Sequence, residues 1–162
     1  PIIGQNFGAG KHDRVRGAFR DGLIFTAAVT VGVSLILFLL RGPFELLFDL
    51  DGESRRLVFL FAGPLSLLFF FNGVIFVANA SFNNLGHPFY STWVNWGRHT
   101  LGTLPFVAVG SAMFGAAGVL IGQYVGGVIF GMLSWWLALR MYGPEQAWID
   151  QTWRPGEVEL VK

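Results

Sequence analysis

Formal charges divide this chain into long apolar stretches separated by short polar ones. Residues 22–40 lie charge-free between Asp21 and Arg41, and residues 57–86 follow Arg56 without a charge. From Thr100 to Leu139 there is again no formal charge. A helix that crosses the hydrocarbon core of a bilayer needs about 20 mostly apolar residues. The first stretch fits one crossing. The second is closed by Asn83, Asn84, Gly86 and Pro88, so its apolar part ends near Ala80. The remainder is too long for one crossing at about 1.5 Å per residue. Gly110, Ser111 and Gly115 are its expected corner. The pattern predicts an all-α membrane bundle of about four transmembrane helices, over residues 22–41, 57–80, 88–109 and 115–140. Residues 1–21 are expected to form a cytoplasmic loop with the end of a preceding helix, and residues 143–162 a polar cytoplasmic tail.

Composition supports a lipid environment. Apolar residues make up 53% of the chain and charged residues 13%, against a soluble norm of about 25% charged. So few charges cannot cover the surface of a soluble domain, whereas lipid accepts apolar side chains facing outward. The net charge of +1 comes without a basic run, which gives no reason to expect a nucleic-acid partner. Cysteine is absent, which removes disulfides and thiolate chemistry. The chain opens at Pro1 inside what reads as a motif, and is expected to be a piece of a longer reading frame.

Charge asymmetry predicts the orientation. Lys11, Arg14, Arg16 and Arg20 precede the first span, and Arg140, Arg154 and Lys162 follow the last. Four spans put both groups on one side, which the positive-inside rule makes cytoplasmic. The loop at residues 41–56 then faces outward, with residues 44–50 lying along the interface. Trp93, Trp96, Trp135 and Trp136 fall near cytoplasmic span ends, as an aromatic belt would. The expected location is the bacterial inner (plasma) membrane, with both ends of the chain cytoplasmic and the bilayer as partner.

Polar residues inside spans carry the chemistry, because each costs free energy unless paired or wet. Asn72, Asn79 and Asn83 fall on one face of the second span, with Phe76 between them. Such a stripe lines a polar cavity for an organic cation, or bonds to neighbouring helices as packing. Arg98, beside His99, either faces a cavity as a charge partner or snorkels to the cytoplasmic interface. Pro64 and Pro105 each remove a backbone donor and bend a helix. Gly118, Gly122 and Gly126 recur every four residues and read as a packing ladder. Residues 4–11 imitate a phosphate loop, but His12 follows Lys11 where Ser or Thr is required. No paired carboxylates, clustered histidines or serine elbow occur in the spans, so no catalytic residue, metal site or cofactor is expected.

Several segments resemble the multidrug and toxic compound extrusion transporters. P-I-I-G-Q-N-F-G-A-G-K-H-D-R-V-R resembles the loop after the second helix of that family's C-terminal lobe, and F-E-L-L-F-D-L-D-G-E-S-R-R its next outer loop. N-N-L-G-H-P-F-Y-S-T-W-V-N-W-G-R-H-T-L-G-T-L-P-F and F-G-A-A-G-V-L-I-G resemble its last two helices. The resemblance implies twelve helices in two lobes, of which this chain supplies the last four. It implies alternating access, with efflux of small organic cations driven by inward H+ or Na+. Some members carry an acid where Asn72 stands here, so the coupling ion is expected to bind upstream, in the N-terminal lobe that partners this piece. Two other readings are a lipid-linked saccharide flippase of the same superfamily and a non-transporting membrane scaffold.

Overall fold

The computed structural model describes residues 2–142, and the tail read at 143–162 lies outside them. The helices are α1 (Ile2–Gly8), α2 (His12–Leu47), α3 (Gly52–Ala62), α4 (Pro64–Asn84), α5 (Pro88–Thr100) and α6 (Leu104–Met141). Three segments are long and apolar enough to cross a membrane: His12–Leu47, Pro64–Asn84 and Pro88–Met141. The last doubles back inside α6 at Gly115, where φ is 61° and ψ −137°. A side chain is disfavoured at that positive φ, which is why glycine stands there. The result is an all-α bundle of four passes.

α6 is a helical hairpin closed by small residues. A Cβ added to Gly118 would fall on the backbone of Gly110, one on Gly122 on that of Phe106, and one on Gly126 on that of Gly102. These pairs step outward evenly from the turn, as two antiparallel helices at backbone contact require. Lipid gives helices no hydrophobic reason to associate, so such close packing carries the attraction. Gly110 itself lies within the helix, and the corner is at Gly115 rather than spread over both.

α4 is the central helix, packed chiefly against α6 and α2. Val74, Ile75, Ala78 and Phe82 are fully buried, and meet Phe19, Val94, Ala138 and Met141 in one core. Buried Ser81 and Ser134 donate to the carbonyls of Val77 and Phe130 on their own helices, at 3.0 and 2.7 Å. Their hydroxyls are thereby satisfied without water. The outward surface is apolar: Phe25, Leu39, Leu104 and Met113 are 64–70% exposed, as side chains in hydrocarbon are.

The element bounds differ from the charge-based expectation in three places. The segment before residue 22 is helical, because Val15, Phe19 and Leu23 recur every four residues and bury one face against the core. Arg16 there donates to the carbonyl of Tyr142 at 2.9 Å, joining the start of α2 to the end of α6. At its other end α2 continues past Arg41 to Leu47. The second span is two helices, split at Gly63 (φ −99°, ψ −111°), with Pro64 opening α4. Ser66 Oγ lies 2.6 Å from the carbonyl of Gly63 and 3.3 Å from that of Ala62, so its one proton is shared beside the broken turn. Pro105 likewise stands in the first turn of α6 after a break, where Thr103 donates to the Arg98 carbonyl at 2.9 Å.

Candidate functional site

The amide stripe runs along α4, with each member in a different setting. Asn72 is buried, and its Oδ1 has no hydrogen-bond donor in the protein. It faces α6, where a methyl added to Gly127 would sit 3.6 Å from that oxygen. Two turns on, Asn79 is half-buried and its Oδ1 also lacks a donor. Asn83 is exposed, and its Oδ1 lies 3.2 Å from Ser91 Oγ on α5. That hydroxyl also lies 3.3 Å from the Asn79 carbonyl, so one proton is shared between two acceptors. Phe76, between the amides, projects outward and is 69% exposed.

The α4 backbone therefore brings two buried acceptors to either side of an exposed aromatic ring. A buried amide oxygen without a donor is costly in a membrane interior. Packing glue would have satisfied it, as it satisfies Asn83. What Asn72 and Asn79 can do chemically is accept hydrogen bonds, and what Phe76 can do is offer a ring face to a cation.

Arg98 stands on a different helix from this stripe. It is half-buried on the last turn of α5. The ion pairs among the described residues are Arg20–Asp21, Arg55–Glu45 and Arg56–Glu53, and none includes it. Gly118, Gly122 and Gly126 are all buried inside the α6 hairpin and face backbone. Among the described residues no group of His, Asp and Glu is placed to hold a metal ion.

Charge and periodicity did not point to a second feature, a cavity of about 250 Å³ between α2, α4 and α6. Ser34, Ser66 and Tyr124 are buried and line it together with Thr30. The available signal was the presence of Thr30, Ser34 and Ser66 within otherwise apolar runs. Beyond the last span, partly buried Tyr142 tilts against Phe19 at 5.3 Å. Burial pushes its phenol up to about 12, with the Ser81 side chain acting in the opposite direction.

Known proteins share this architecture. The MatE family model matches residues 1–104. An uncharacterized 21 kDa protein from the iaaL 5' region of Pseudomonas savastanoi is 35% identical over 142 residues, 80% of this chain and 42% of that protein. A FAD transporter of Shewanella oneidensis is 26% identical over 147 residues, 91% of this chain and 32% of that protein. The bent-form crystal structure of the Vibrio cholerae MATE transporter VcmN superposes with a TM-score of 0.75 at 23% identity. That superposition covers 88% of this chain and 32% of VcmN. The crystal structure of a VcmN mutant also matches at 0.75, over 93% of this chain and 33% of that protein. This chain thus spans less than half the length of these relatives. With the family model covering most of its spans and the bundle superposing on a solved member, this membrane chain belongs to the MatE family.

Proposed function

We propose that this chain forms part of the C-terminal lobe of a secondary transporter that exports amphipathic organic cations by alternating access. The observation that carries the reading is the pair of donorless amide oxygens, Asn72 and Asn79, flanking exposed Phe76 on α4. Both oxygens are closed off within this bundle, so they become acceptors for a solute with N–H donors, positive charge and a flat apolar body only when alternating access opens the packing around α4 beside Phe76. The second wall of such a cavity would come from a partner lobe, since Phe76 faces away from this bundle.

Coupling to H+ or Na+ needs an ionisable group within the membrane. Between Gly22 and Tyr142 the acids are Glu45, Asp49, Asp51 and Glu53, all near the α2–α3 connection. The coupling acid is therefore assigned to the N-terminal lobe, where its protonation would alter the cavity's affinity for solute. A saccharide flippase would need several cations around a pyrophosphate, and the interior of the four passes offers Arg98. The FAD carried by the Shewanella relative is anionic, whereas the α4 stripe presents acceptors, which favours a cationic solute. A bare scaffold would leave the two buried amide oxygens unexplained.

The test is efflux of ethidium by cells making the full-length protein that carries this chain. Asn72→Leu and Asn79→Leu should each slow efflux by about fivefold, the value of one net hydrogen bond, at unchanged membrane abundance. Wild-type efflux rates in both variants would refute the cavity reading.

A further inference from the structure

Where α2 ends and α3 begins, three arginines and Glu45 line one pocket. Arg41, Glu45, Gly52, Arg55, Arg56 and Phe59 line a cavity of about 320 Å³. The Glu45 side chain is 14% exposed and accepts from Arg55 Nε at 2.9 Å. Arg56 approaches Glu53 at 3.9 Å and stays 62% exposed. The Arg41 guanidinium lies over the rings of Phe38 at 4.3 Å and Phe59 at 4.9 Å. Its Nη1 is buried without a hydrogen-bond partner.

Aromatic faces stabilise the plane of a guanidinium and leave its in-plane N–H donors unmet. The one lining carboxylate is already bonded to Arg55. The cavity thus carries more positive than negative lining charge, and Arg41 is held at its wall by Phe38 and Phe59. The ligand that matches guanidinium forks is a compact multi-oxygen anion, above all a phosphate.

We propose that this pocket binds a phosphate group, and that the phosphate belongs to the headgroup of an anionic phospholipid. The surroundings select the lipid over free phosphate. Phe44, Leu46, Leu47 and Phe48, at the same corner, are 51–85% exposed and suit the acyl boundary. Phe38, on which Arg41 rests, also lines an apolar groove of about 330 Å³ with Leu35, Ala62 and Leu67. The groove gives an acyl chain a path beside its own headgroup.

The test uses the purified, delipidated full-length protein carrying this chain, with phosphatidylglycerol, phosphatidylcholine or inorganic phosphate added. Retained lipid is counted by native mass spectrometry, and the thermal midpoint is measured beside it. Phosphatidylglycerol should be retained and should raise the midpoint, and the other two should not. Arg56→Gln, at an exposed side chain, should cut retention about fivefold, and R41Q with R56Q further still. Glu45→Gln removes the opposing charge and should increase retention, which a misfolded protein cannot do. Arg14→Gln, outside the pocket, should change nothing. Unchanged retention in both R56Q and E45Q would overturn the site. Equal stabilisation by inorganic phosphate would overturn the lipid source, and equal retention of phosphatidylcholine would overturn selection for an anion.

Discussion

Gly118 rests against the backbone of Gly110, so close that a Cβ on either residue would fall inside the other's carbonyl. The last two passes are therefore held at a separation that only hydrogen at these positions permits. Gly118→Val should cost at least about 3 kcal/mol, the upper range for overpacking, and should lower the thermal midpoint and the monodisperse yield in detergent. Gly127→Ala meets Asn72 Oδ1 at 3.6 Å, ordinary contact, and should behave as wild type. Equal behaviour of the two variants would show that the hairpin is not closed by this contact.

The absence of cysteine makes orientation directly measurable. Arg14→Cys, early in α2, and Asp51→Cys, between α2 and α3, sit at opposite ends of the first pass. In intact cells a membrane-impermeant maleimide should label Asp51→Cys. It should reach Arg14→Cys only after the membrane is opened. The reverse pattern would invert the orientation drawn from the basic residues at 11–20.

Tyr142 gives the bundle a pH dependence of known sign. Its phenol is raised from 10.0 to about 12 by burial. Above pH 10 the unfolded chain releases this proton while the folded chain keeps it, so unfolding gains. The Tyr142 contribution is whole below pH 10 and is lost as pH rises through about 12. The thermal midpoint of wild type should therefore fall more steeply between pH 10 and 12 than that of Tyr142→Phe. Parallel curves would mean that the phenol is as accessible to water as in the unfolded chain.

Charge gaps marked the passes well because a formal charge inside hydrocarbon is the costliest feature a helix can carry. The same signal misled at the edges. Asp13, Arg14, Arg16 and Arg20 read as a loop, but a helix can leave the bilayer with its charges wet and one apolar face still packed. The spacing of Val15, Phe19 and Leu23 held that information. The corner was legible as glycine-rich, but nothing in residues 110–115 distinguished the glycine that turns from the one that packs. Helical period put Asn72, Phe76, Asn79 and Asn83 along one stripe of α4. It could not say that Asn72 would meet α6, Asn83 would meet Ser91, and Phe76 would stay largely exposed. Those outcomes depend on which helices flank α4, and that is set by tertiary packing. Arg41 drew no notice as a boundary charge, because its seat on Phe38 and Phe59 brings together residues from two helices.

The break at Gly63 divides the second pass into two helices. In most helices an interrupted turn leaves peptide oxygens bare, and in hydrocarbon that penalty locks the backbone straight. Here the Ser66 hydroxyl, carried by α4, shares its one proton between the Gly63 and Ala62 carbonyls beside the break. α3 can thereby end and α4 begin inside one pass at a smaller polar cost in hydrocarbon.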